Sequence, residues 1–209
     1  QVTLVVGVAD TYVPLGDMGI PRTPFAGHRR FAEAFARNAA SAGFDLVQAE
    51  EVLPDHGMML TKLIADPDGT IPVVPVFINS AMPVPPTPAR AYALGQALKA
   101  MVRTERPTRE RVVVIAGGGL SHWLRVPGQG QVAEKFDRGF MEKMASGHSD
   151  KLAQMNNATI AEDAGNGGLE LASWLFMAGA MPAGAKGELI YYEPIAQWGS
   201  GMGGIVLWS

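Results

Sequence analysis

Apolar residues along the chain fall into two kinds of pattern, one of β-branched runs and one of helical spacing. Val2, Val5, Val6 and Val8 predict a strand over residues 2–9, and residues 44–48, 71–78 and 111–116 read the same way. Residues 189–192 and 204–207 add two more strands. Helical spacing marks residues 27–42, where Phe31, Ala34, Phe35 and Ala39 share one face and Gly43 gives the stop. Further helices are predicted over residues 58–64, 89–103, 132–145 and 168–178, with a broken helix over 151–164. Pro72 and Pro75 foretell an irregular start to the strand at 71–78. The alternation predicts an α/β fold, a single domain with a mostly parallel central sheet flanked by helices. Residues 10–26, 82–88 and 123–130 are rich in proline or glycine and read as loops.

Composition narrows the function. With 47% hydrophobic and 18% charged residues among 209, the chain is globular. A formal net charge of −3 leaves no basic footprint for nucleic acid. There is no cysteine, so disulfides, iron–sulfur clusters and thiolate metal sites are excluded. No apolar run approaches the ~20 residues of a membrane helix, and a cytoplasmic protein is expected. The chain opens directly in a strand pattern at Gln1 and stops just after another, so it is expected to be part of a longer protein.

Acid–base chemistry therefore rests on four histidines and the carboxylates. His122 ends Gly117-Gly118-Gly119-Leu120-Ser121-His122, directly after the strand predicted at 111–116. Strand ends on this side are where ligands gather in open α/β sheets, and an imidazole there can move protons or bind metal. The alternative is a plain helix-start turn. His56 stands in Pro54-Asp55-His56-Gly57, where Asp55 either orients the ring or caps the following helix. Glu170, flanked by leucines near a helix start, either wants a cation or is simply solvated. His28 and His148 read as surface residues. A P-loop and a dinucleotide fingerprint are both incomplete at Gly117 to Gly119. A Ser121–His122 hydrolase lacks the G-x-S-x-G elbow. Asn79, Trp174, Tyr191, Tyr192 and Trp198 line a pocket or fill the core.

Taken in order, several segments resemble the class III extradiol ring-cleavage dioxygenases. They are Gly7-Val8-Ala9-Asp10-Thr11-Tyr12, Pro54 to Gly57, Pro75-Val76-Phe77-Ile78-Asn79, Gly117 to His122, Gly168-Leu169-Glu170-Leu171 with Trp174, and Tyr192-Glu193-Pro194-Ile195. The resemblance runs over nearly the whole chain. It implies that His122 is the acid–base residue, that His56 is a second pocket histidine, and that Glu170 is the carboxylate ligand of a non-haem Fe(II). It also implies an aromatic diol or aminophenol as substrate, O2 as co-substrate, an oligomer, and in some relatives a small second subunit over the site. Asn79, Ser121 and Ala196 fall at substrate-binding places. The stretch from Pro194 to Trp198 is nearer the catechol-propionate and aminophenol branches, since the protocatechuate branch has a hydroxyl side chain where Ala196 stands.

One departure accompanies this match. The family's iron sits on two histidines and one carboxylate. Neither metal histidine corresponds to His28, His56, His122 or His148, and both are expected upstream of Gln1, in an N-terminal part of the family domain absent from this chain. The chain by itself is not expected to hold iron tightly. A non-catalytic relative acting as a binding or scaffold subunit is the alternative.

Overall fold

The computed structural model describes residues 2–208. The chain is α/β, and its contacts group into two compact units. One comprises Gln1–Ile78 with Ala100–Gly117, the other Asn79–Lys99 with Gly118–Ser209.

In the first unit, β1 (Leu4–Gly7) buries Leu4 and Val6. A short antiparallel ladder joins β2 (Thr11–Tyr12) to β3 (Phe25–Ala26). Helix α1 (Arg29–Ser41) buries Phe31, Ala32, Phe35, Ala36 and Ala39, the face that the periodicity marks. It is capped by His28, whose Nδ1 accepts the Phe31 N–H at 3.3 Å. Then come β4 (Val47–Ala49), α2 (His56–Ala65) and β5 (Val76–Ile78). A second apolar cluster gathers Ala9, Tyr12, Ile20, Phe25 and Met59. Helix α2, which carries His56, ends on a buried pair. Asp66 receives Lys62 Nζ at 2.5 Å, the Thr70 N–H at 3.0 Å and the Ile71 N–H at 2.9 Å. These donors, the lysine foremost, hold its carboxyl well below the ordinary carboxylate range.

The sheet differs from expectation. Its order is β4-β1-β5, with β1 parallel to β4 and antiparallel to β5, so it is mixed rather than mostly parallel. Strand β5 is short because Pro72 and Pro75 cannot donate to a ladder. The Pro75 carbonyl still accepts the Gly7 N–H at 2.9 Å. The strand predicted at 111–116 does not form among the described residues. Val113 is 80% and Ile115 52% exposed, and no described strand pairs with them. β-branched content suits a pleated surface but does not create one without a partner.

Helix α3 (Pro88–Glu105) belongs to the second unit up to Lys99. There follow α4 (Glu134–Ala145), α5 (Ser149–Leu152), α6 (Asn157–Ala164), a 3₁₀ turn at Asn166–Glu170 and α7 (Leu171–Ala180). The backbones of α3 and α7 approach closely. A Cβ on Gly95 would strike the Phe176 carbonyl, and one on Gly179 the Tyr92 carbonyl. The chain closes with an antiparallel hairpin of β6 (Gly187–Ile195) and β7 (Ser200–Leu207), longer than the two strands predicted there. Leu120, Phe140, Met141, Met144, Leu171, Trp174 and Leu175 are the unit's buried centre. Phe140 and Trp174 meet edge to face at 6.1 Å.

Candidate active site

His122 is held by its backbone on two sides. Its N–H donates to the Ala164 carbonyl at 2.9 Å, and its carbonyl accepts the Gly167 N–H at 3.1 Å. Leu120 N–H reaches the Gly201 carbonyl at 3.3 Å, and Gly201 N–H reaches the Ser121 carbonyl at 3.0 Å, which ties the turn to β7. Gly167 lies flat against the imidazole, and any Cβ there would overlap the ring. Gly167 is thus a packing requirement.

The ring itself is oriented at both nitrogens. Nδ1 lies 2.8 Å from the Leu120 carbonyl, an acceptor only, so Nδ1 carries the proton. Nε2 lies 3.7 Å from Glu170 Oε1, a charge contact longer than a hydrogen bond. The Glu170 carboxylate raises the imidazole pKa above its ordinary value, with the Leu120 carbonyl adding to the rise and burial opposing it. Glu170 is anchored in turn, because Oε2 accepts the Gly119 N–H at 2.6 Å. Trp174 Nε1 donates to the Gly118 carbonyl at 3.1 Å. Gly118 and Gly119 therefore present backbone groups to α7 and to the turn before it.

Behind this turn lies a carboxylate without a sequence signal. Asp137 on α4 is fully buried. It accepts the Ser121 N–H at 2.9 Å, the Ser121 hydroxyl at 2.7 Å and the Tyr192 hydroxyl at 2.8 Å. Burial pushes its pKa up and these donors pull it down. Ser121 also accepts the Ala133 N–H at 2.7 Å. It is fully buried, with its hydroxyl committed at both ends. Ser121 fixes the residue that follows it.

An open pocket of about 220 Å³ is lined by His122, Trp123, Leu124, Gln129, Ala196 and Trp198, among others. Ala196 thus lines the same pocket as His122. Trp198 is 70% exposed at the rim. Asn79 is engaged in its own loop, where Oδ1 accepts the Met82 N–H at 2.9 Å and Nδ2 donates to the Met82 carbonyl at 3.3 Å.

In the first unit, His56 opens α2, with Asp55 at the cap position. Asp55 makes no side-chain cap bond, so neither role expected of it is seen. The carboxylate that meets His56 is Asp17, 2.5 Å from Nδ1. The same carboxylate accepts the His56 N–H at 3.1 Å. The histidine hydrogen bond draws the Asp17 pKa down. Thirty-nine residues separate the two, and no spacing rule connects them.

A resident metal does not fit the side chains present. Glu170 is the carboxylate that faces the His122 ring, and its oxygens lie toward Gly119 and His122, while Asp137 is committed to Ser121 and Tyr192. Among the described residues, no group of three or more His, Cys, Asp or Glu could hold a metal ion.

The family model for the catalytic LigB subunit of aromatic ring-opening dioxygenase matches residues 1–203. The chain belongs to the LigB family. It is an oxidoreductase of the aromatic ring-opening dioxygenase type. A 2,3-dihydroxyphenylpropionate/2,3-dihydroxicinnamic acid 1,2-dioxygenase of Photorhabdus laumondii is 25% identical over 90% of this chain and 73% of its own length. A protein of the same name from Burkholderia vietnamiensis is 27% identical over 95% and 75%. A gallate dioxygenase of Pseudomonas putida is 28% identical over 84% of this chain and 53% of its own length. Among solved structures, the uncharacterized protein JW3007 of Escherichia coli K12 superposes with a TM-score of 0.64 at 16% identity. The match covers 98% of this chain and 80% of that one, and it speaks for the fold alone. No helix among the described residues of this LigB-family chain is long and apolar enough to cross a membrane.

Proposed function

We propose that the protein opens the ring of a catecholic or aminophenolic substrate beside, not between, its two heteroatoms, using O2. The observation that carries this reading is His122. Its Nδ1 is committed to the Leu120 carbonyl, so Nε2 is its exchangeable end, at a pocket shared with Ala196 and Trp198. Glu170 raises its pKa and so favours the protonated ring, and an imidazole is the side chain suited to take and return a proton. Ring opening needs both acts, removal of a proton from the substrate hydroxyl and its later return. Glu170 holds the imidazole's charge while the proton is on it, and Asp137 holds the turn through Ser121.

Ala196 and the relatives named for dihydroxyphenylpropionate support a substrate whose carboxylate sits at the end of a short side arm over one bearing it directly on the ring. Fe(II) is the metal that the family resemblance implies. Of its ligand set the described residues offer Glu170 alone, so the proton transfers rest on this chain's own side chains. His56 takes the role of second proton-handling histidine, supported by its place in the Asp-His-Gly motif and by its carboxylate partner. An oligomer, with or without a small second subunit, and a cytoplasmic location belong to the same reading.

The test is ring opening of 2,3-dihydroxyphenylpropionate and of 2-aminophenol by the full-length protein supplied with ferrous iron. A coloured ring-opened product is expected, and His122→Ala should lower turnover by about 10²–10⁴-fold. Equal turnover in that variant would remove His122 from the chemistry.

A further inference from the structure

Asp17 makes two kinds of contact with His56, and together they do more than cap a helix. Its carboxylate lies against Nδ1 at 2.5 Å. It also accepts the His56 backbone N–H, through Oδ1 at 3.1 Å and Oδ2 at 3.3 Å. One carboxylate therefore grips the ring and the backbone of the same residue, which leaves the imidazole little rotational freedom.

The turn that carries Asp17 is built for this contact. Gly16 has φ 85° and Met18, not a glycine, has φ 52°. Left-handed backbone at a methionine persists only where the surroundings impose it, and such strain collects at functional sites. The Leu15 N–H donates to the Pro54 carbonyl at 2.9 Å, which ties the Asp17 turn to the segment just before His56. Asp55 is adjacent and acidic, yet it leaves the helix start to Asp17. A cap alone would be met by Asp55 without a strained turn reaching across thirty-nine residues.

We infer that Asp17 is the positioning residue of His56, fixing the neutral imidazole as its Nδ1–H tautomer with Nε2 turned out as the proton-accepting end. A carboxylate can only accept at Nδ1, so the neutral ring must carry its proton there. About half of the His56 side chain is exposed, which leaves Nε2 open to a partner. His122 likewise has its Nδ1 against an acceptor, the Leu120 carbonyl. The consequence for turnover rests on the ring-opening reading. The tautomer does not.

The direct test is long-range ¹H–¹⁵N NMR of the full-length protein at a pH where His56 is neutral, with the ring resonances assigned by His56→Gln. The expected spectrum shows Nδ1 protonated and Nε2 bare. In Asp17→Asn, whose amide oxygen can still accept the backbone N–H, the ring should shift toward the Nε2–H form that free imidazole favours in water. A wild-type spectrum with Nε2 protonated, or one that Asp17→Asn leaves unmoved, overturns the assignment. Steady-state kinetics then separates the two layers. Asp17→Asn is expected to lower kcat by about 10–100-fold with KM within a factor of about two, and Asp17→Glu to recover part of the loss. If His56→Gln itself turns over at the wild-type rate, the ring-opening role of His56 fails while the tautomer assigned by NMR stands. If His56→Gln is slow and Asp17→Asn is not, Asp17 does not position the ring for the reaction.

Discussion

The two motif histidines are held in opposite ways. His122 is built into a buried framework: two backbone hydrogen bonds, a glycine against its ring, and a turn pinned from behind by Asp137. His56 stands half-exposed at a helix start and is gripped by one carboxylate from a distant strained turn. In both, Nδ1 lies against an oxygen acceptor. The difference teaches that a histidine ring can be oriented by packing or by a single charge. The first is costly to disturb in stability, the second mainly in chemistry.

That contrast can be broken most forcefully at Asp137. Asp137→Ala leaves the Ser121 N–H, the Ser121 hydroxyl and the Tyr192 hydroxyl without their acceptor, and is expected to destabilise the protein by about 3 kcal/mol in urea unfolding. Tyr192→Phe removes one donor only and should cost about 1 kcal/mol. If Asp137→Ala cost no more than Tyr192→Phe, the framework around His122 would not depend on the buried carboxylate.

A middle-sized effect is expected from Glu170→Gln, and it depends on pH. Glu170 raises the folded pKa of His122 above the ordinary imidazole value of 6.5. The stabilisation from that pair is therefore present in full below 6.5 and is lost as pH rises through the folded value. The thermal midpoint of wild type should exceed that of Glu170→Gln most on the acid side of 6.5, and the gap should close as pH rises through the raised folded value. A gap that widened with pH would contradict the charge contact.

The smallest change is expected at Asp55. It sits beside His56 in sequence but makes no side-chain cap bond. Asp55→Ala should shift the thermal midpoint by less than about 2 °C. Asp17→Ala, measured in parallel, should exceed it. The reverse order would return the helix start to Asp55.

Much of the secondary structure was legible because its cause is local. Phe31, Ala34, Phe35 and Ala39 repeat at helical spacing, and all four are buried on α1. Leu94 and Leu98 on α3 behave alike. The run at 111–116 failed for the complementary reason. Its valines carry strand propensity, while a strand exists only with a partner, and none of the described strands pairs with it. The mixed sheet could not be foreseen either, since strand direction is decided by which neighbour each strand finds.

At the candidate site, the residue types and motifs pointed to His122, His56 and Glu170, and His122 and Glu170 do meet. Asp137 and Asp17 carried no sequence signal. Each is an isolated acidic residue, 16 and 39 positions from the residue it holds. Sequence by itself determined the family, the helix faces and the side chains able to move protons, because those follow from neighbours along the chain. Tertiary structure alone decided which carboxylate serves which histidine, that Ser121 is a buried strut, and that Nδ1 of each of the two imidazoles meets an acceptor. Those outcomes depend on hydrogen bonds and burial between residues that only folding brings together.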